Sequence, residues 1–203
     1  MSCYFVGRWW AWDRAGLAVR VACGAPAERT ALTAAELAHL AGRSLAPERR
    51  DAWIRGRALA HRALGLPDSV LATAAGQPRV AGGAWRIGFS HDGPWTALIA
   101  CRHAVAAGVA VDVVACEPAR AARALARVRV RGAAAVDPRA VWSALECAVK
   151  LRGRHIACLL GRPVEVSTAP SGALVVAGLG ARLAVQIARL PSATIAWSDG
   201  SQG

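Results

Sequence analysis

Residues 137–152 read Asp137-Pro138-Arg139-Ala140-Val141-Trp142-Ser143-Ala144-Leu145-Glu146-Cys147-Ala148-Val149-Lys150-Leu151-Arg152, and Gly153 follows. Asp137 suits an N-cap, Pro138 suits the first turn and Gly153 suits a stop, so one helix is expected here. Glu146 and Lys150 stand four residues apart and share a helix face, with the acid on the N-terminal side. Such a pair is usually a surface contact worth a few tenths of a kcal/mol. Its neighbours, however, are Leu145, Cys147, Ala148 and Val149, and Glu146 is the only acid after the cap. Lys150 is also the only lysine in the chain, every other strong base being arginine. Either chance spared it from a compositional bias, or the position needs a compact ammonium that guanidinium cannot replace.

Upstream, Ala46-Pro47-Glu48-Arg49-Arg50-Asp51 opens a second long helix that runs to Leu64 and ends at Gly65. A shorter helix is expected from Thr33 to Ala41, with Thr33 and Glu36 as a capping box. Strand-like segments follow each long helix. Trp85–Ser90 and Trp95–Ala100 flank the turn His91-Asp92-Gly93-Pro94; after the later helix come Val164–Val166, Leu174–Val176, Leu183–Ile187 and Ala193–Trp197. Between the halves, Gly108–Val114 is an apolar strand carrying Asp112. The expectation is an α+β fold of two similar fused subdomains, each a long helix packed on a small antiparallel sheet, over residues 1–105 and 106–203.

The 203-residue chain is 55% hydrophobic and 19% charged, which excludes a disordered protein. Its longest apolar runs are too short to span a bilayer, and the start lacks the pattern of an export signal. None of the six cysteines forms a CxxC pair or has zinc-finger spacing, so a reduced, cytoplasmic protein is expected. The net charge of +12 suits a nucleic acid, an anionic membrane, or an acidic or phosphorylated ligand. The arginines are scattered rather than gathered into an arm, which disfavours nucleic acid, and no basic amphipathic stretch marks a membrane anchor.

Asp112 is costly to bury in its apolar run unless something compensates it; otherwise it is a strand-end carboxylate facing water. His91 follows a strand directly, where histidines are more often structural than catalytic, although one beside arginines could donate to a phosphate. Gly76-Gln77-Pro78-Arg79 reads as a tight loop.

In order and spacing these pieces resemble the 4'-phosphopantetheinyl transferase family, in its larger type of two fused subdomains. The resemblance rests on Gly76-Gln77-Pro78, Ser90-His91, Val111-Asp112, and Trp142-Ser143 with Glu146 and Lys150, together with the arginine-bearing helix Gly56–Leu64. It implies an active site between the subdomains, with coenzyme A binding assigned to the first and the metal site and catalytic helix to the second. Asp112 and Glu146 would hold Mg²⁺ shared with the pyrophosphate of the co-substrate coenzyme A. Glu146 and Lys150 would be catalytic, Lys150 by pairing with a phosphate oxygen. His91, Ser90, Arg50, Arg57 and Arg62 would bind phosphates, and the backbone of Gly76, Gln77 and Pro78 would line the adenine. A serine of an acidic acyl or peptidyl carrier protein would attack the β-phosphate and release 3',5'-ADP, its proton passing to Glu146 or to water. The resemblance implies a monomer serving carrier proteins such as those of secondary metabolism.

Two departures stand out. The family's second acid is Val114 here, and the lysine that usually precedes the glutamate is Leu145. They leave open a repurposed or inactive relative that binds coenzyme A or a carrier protein without transfer. A charge-driven nucleic-acid binder, with steeply salt-dependent affinity, is the alternative from another class.

Overall fold

The computed structural model describes residues 2–6, 9–14, 16–66, 68–72, 78–102 and 108–201. The fold is mixed α+β with chiefly antiparallel sheets, and the chain forms two compact units, Met1–Val105 and Ala106–Gly203.

The first unit begins with three strands, β1 (Ser2–Val6), β2 (Trp9–Arg14) and β3 (Leu17–Cys23). Helices α1 (Ala34–Ala41) and α2 (Pro47–Leu64) follow, then the short pair β4 (Val70–Ala72) and β5 (Pro78–Val80), and finally β6 (Trp85–Asp92) and β7 (Trp95–Arg102). The five-stranded sheet runs β1-β2-β3-β7-β6, antiparallel throughout, with Leu17 opposite Cys101 where β3 meets β7. Thr33 and Glu36 form the expected capping box of α1. Helix α2 starts on Pro47 and ends where Gly65 turns left-handed at φ 60°, a conformation that costs glycine little. It packs against β3, β6 and β7, burying Leu59 there, and buries Ile54 against Leu32 and Leu40; Leu59 and Ile54 are each worth about 1.5–3 kcal/mol of apolar transfer.

The second unit comprises β8 (Ala110–Val114), α3 (Pro118–Leu125), β9 (Arg129–Arg131), α4 (Pro138–Leu151), β10 (Pro163–Thr168), β11 (Leu174–Ala177), β12 (Leu183–Leu190) and β13 (Ala193–Ser198). Its sheet runs β8-β13-β12-β11-β10-β9; only the edge pair β9 and β10 is parallel. Asp137 caps α4 by accepting a hydrogen bond from the Arg139 amide at 2.9 Å. The helix lies over β8, β11, β12 and β13, closing a core that includes Leu145, Val166, Val176 and Val185.

Two expectations need correction. The first sheet does not simply follow its long helix: β1–β3 precede α2, whereas β8 lies ahead of α4 where the Gly108–Val114 strand is expected. Register between strands eighty residues apart, as in β3 and β7, is a tertiary choice that local patterning does not encode. The hairpin turn is also shorter than expected, because β6 continues through His91 and Asp92 and leaves Gly93-Pro94 to reverse the chain.

Gly132, just after β9, has φ 80°, and a Cβ there would lie 2.6 Å from the Val166 carbonyl oxygen. Gly132→Ala combines a left-handed backbone with a backbone clash, so it is expected to cost about 1–3 kcal/mol or more. Chemical denaturation of the full chain checks this; an unchanged midpoint would contradict the close approach of this loop to β10.

Candidate functional site

In the second unit the chemistry-bearing residues collect where α4 crosses β8. Alternation along β8 sets Asp112 opposite Ala196 of β13, with Val111 and Val113 on the other face of the strand. Asp112 is only 3% exposed, so the solvent-facing reading does not hold. Its charge is compensated from α4. Ser143 Oγ donates to Oδ2 at 3.0 Å, and Lys150 Nζ donates to Oδ1 at 2.6 Å and to the Val111 carbonyl oxygen at 3.2 Å. Ser143, Glu146 and Lys150 recur at helical spacing and therefore share one face of α4. Glu146 Oε2 lies 3.8 Å from Lys150 Nζ.

Charge crowding sets the protonation. Burial pushes the Glu146 carboxyl above the ordinary carboxylate range, and the Asp112 charge adds to the rise, against the pull of Lys150. Burial alone would lower Lys150, but Asp112 holds its ammonium above the ordinary lysine value. Lys150 therefore answers chiefly to Asp112, a partner 38 residues away, rather than to its helical neighbour Glu146. Nearby Cys147 donates its thiol to the Ala110 carbonyl at 3.3 Å, and burial pushes that thiol far above its ordinary range, so it packs rather than reacts. Asp112 and Glu146 present hard carboxylate oxygens, a donor type that Mg²⁺ prefers, with the Lys150 ammonium already on Asp112 Oδ1. Among the described residues no third His, Cys, Asp or Glu completes a metal cluster. Val114 and Leu145, where the resemblance would place a further acid and a lysine, both face the apolar interior at 5% and 0% exposure.

In the first unit, Ser90 is buried on β6 and His91 is half-buried beside it. A Cβ on Gly56 of α2 would fall 3.1 Å from Phe89 Cδ1 and 3.3 Å from His91 Cε1, so the bare glycine lets both rings approach the helix. Arg57 is buried: its guanidinium carbon lies 4.1 Å from the Trp53 ring centroid and 4.7 Å from that of Phe89. Its Nε donates to the Val70 carbonyl, and burial lowers its pKa to about 10, with Glu36 opposing. Arg62 is exposed and ion-paired with Glu28, and Arg50 is exposed in the first turns of α2. Pro78 opens β5, whereas Gly76 and Gln77 lie outside the described residues.

Sequence reasoning gave Ser143 no role, although its place three residues before Glu146 puts it on the same helix face. It also missed α3 and β9, which carry Arg120, Arg123, Arg127, Arg129 and Arg131 on and between them, all exposed. The alternation of alanine and arginine in Pro118–Leu125 was the available signal. Compared with models of known protein families and with curated proteins, the chain matches none. No described helix is long and apolar enough to cross a membrane.

Proposed function

We propose that the chain transfers the 4'-phosphopantetheine arm of coenzyme A to a serine of an acidic carrier protein. The observation that carries this reading is the compensated acid cluster, in which Asp112, Glu146, Ser143 and Lys150 converge in an otherwise apolar seam. Burying Asp112 beside a second, half-buried carboxylate is costly, and a function that needs their charge accounts for the arrangement. Asp112 and Glu146 would hold Mg²⁺, which supplies neutralisation of the pyrophosphate as its bond breaks. Ser143 fixes the Asp112 carboxylate, and Lys150 is placed to exchange Asp112 for a phosphate oxygen when substrate arrives. The proton of the serine hydroxyl would pass to Glu146 or to water. His91, Ser90, Arg50, Arg57 and Arg62 of the first unit are the residues that the family resemblance offers for phosphate.

The test is to incubate the protein with an apo carrier protein, coenzyme A and Mg²⁺ and to weigh the carrier. A mass gain of one phosphopantetheine arm, absent without Mg²⁺, is expected. The exposed arginines of α3 would meet the acidic carrier, since complementary charge steers association. Arg120→Glu combined with Arg123→Glu is expected to raise KM for the carrier roughly tenfold, with kcat little changed and the difference shrinking at high salt. Unchanged KM would remove α3 from carrier docking.

A second reading has its own support. Val114 and Leu145 are core residues, and the Lys150 ammonium already occupies Asp112. A relative that binds coenzyme A or a carrier without transfer accommodates both facts. Mg²⁺-dependent coenzyme A binding with no mass gain on any carrier would favour it.

A further inference from the structure

The first unit contains a cavity of about 400 Å³ that neither the acid cluster nor the His91 strand explains. Residues Arg55, Ala58, Leu59 and Arg62 recur at helical spacing, so one face of α2 forms its floor with a guanidinium at each end. Ala22 continues the apolar floor from β3, and Trp9 and Trp10 of β2 form the wall. Trp10 is held in place by Trp95, the ring centroids being 5.3 Å apart at an interplanar angle of 34°. The rim is open: Arg62, Cys23, Gly24 and Pro26 are exposed, while Ala22, Ala58 and Leu59 are buried.

The polar groups are one-sided. Among the described residues no carboxylate lines the cavity. Glu28 pairs with Arg62 from outside, leaving Arg55 without an acid partner among the described residues. Arg55 reaches only the Gly93 carbonyl, from Nη2 at 3.4 Å, and its Nε–H is shut off from solvent with no acceptor among the described residues. The guanidinium's terminal nitrogens are the part a ligand can reach: among the described residues only Nη2 makes a bond, the long one to the Gly93 carbonyl, so their charge is left to favour an anionic acceptor. Guanidinium presents parallel N–H bonds that match a carboxylate, while the tryptophans and the alanine-leucine floor match an apolar body.

We propose that this cavity is a binding site for a small organic acid, an apolar body carrying one carboxylate, seated with its head on Arg55 and its body against Trp9 and Trp10. The volume suits a ligand of aliphatic-chain or bicyclic size. The site shares Arg62 with the residues offered above for phosphate, but it does not depend on the transferase reading.

The test uses the full chain with 1-anilinonaphthalene-8-sulfonate as reporter and decanoate as competitor. Saturable, one-to-one reporter fluorescence on the folded protein is expected, displaced by decanoate and unaffected by equal concentrations of decan-1-ol or decyltrimethylammonium. Arg55→Met keeps the apolar stem and loses the head, so decanoate affinity should fall roughly ten- to a hundredfold. Cys23→Trp, on the exposed rim, should block entry without disturbing the core; circular dichroism confirms that both variants are folded. The proposal is overturned if folded wild-type protein shows no saturable binding, if Arg55→Met binds decanoate as tightly as wild type, or if decanol competes equally. Displacement by coenzyme A but not by decanoate would also overturn it, since the cavity would then take a nucleotide.

Discussion

Glu36→Ala is expected to lower the stability of the first unit by about 3–5 kcal/mol, a large part of the 5–15 kcal/mol that holds a typical domain. Glu36 is fully buried, at 0% exposure, and its carboxylate gathers three elements. Oε2 accepts from the Thr33 amide at 2.9 Å and from His61 Nε2 at 2.9 Å, while Oε1 accepts from the Val70 amide at 2.7 Å. His61 bonds the Leu66 carbonyl through Nδ1 at 2.7 Å, so both ring nitrogens face acceptors and the doubly protonated imidazolium fits best. Removing the acid leaves a buried imidazolium and two backbone donors without their partner. Thermal unfolding should fall by at least about 10 °C. If the alanine variant does not accumulate, Glu36→Gln keeps the volume and makes the loss measurable. A change below about 1 kcal/mol for either variant would mean that the pair is not the tie described.

The pH dependence follows from the same contacts. Burial pushes the Glu36 carboxyl up, but the bonds from His61, Val70 and Thr33 outweigh it and hold the group below its ordinary 4.5. The bond to Glu36 raises His61 above its ordinary 6.5, against burial and the nearby Arg57 charge. A depressed acid stabilises the fold above its unfolded value, and that contribution is lost as pH falls through the folded one. A raised histidine stabilises below its unfolded value, and that contribution is lost as pH rises through the folded one. The pair therefore supports the unit fully between about pH 4.5 and 6.5 and less on either side. Denaturation midpoints in Glu36→Gln should lose the decline above neutrality.

Asp112→Asn is expected to reduce the proposed phosphopantetheinyl transfer roughly a hundred- to a thousandfold, the range for removing one group that stabilises developing charge. Asparagine keeps the volume, and its oxygen can still accept from Ser143 Oγ, so local packing is preserved. What disappears is the charge that holds Lys150 and would hold the metal. Stability should fall as well, by less than the full penalty for a buried pair, because the Lys150 side chain is 35% exposed and water screens part of the loss. Combining Asp112→Asn with Lys150→Met should recover part of that stability but no activity, since the two losses have different causes. Full transfer activity in Asp112→Asn would sink the proposed role of the cluster, whatever the stability shows.

The sequence by itself determined the elements whose signals are local. Proline and glycine bracket α2 at Pro47 and Gly65, Thr33 and Glu36 form the capping box, and Asp137 and Pro138 start α4, because caps and turns act within four residues. It also placed Glu146 and Lys150 on one face, which needs only the helical period. Only the tertiary structure decided the rest. Glu36 reads as a capping residue, and no local rule reveals that the same carboxylate takes His61 and Val70 from 25 and 34 residues away. Lys150 reads as the partner of Glu146, yet it sits 2.6 Å from Asp112 because α4 crosses β8 at that point. The N-terminal strands join β7 across most of the first unit, a pairing whose register depends on which faces become buried. Burial is the common reason. What desolvates a charge, and what then compensates it, comes from segments distant along the chain, so its energy is absent from any window of sequence and exists only once the fold has closed around it.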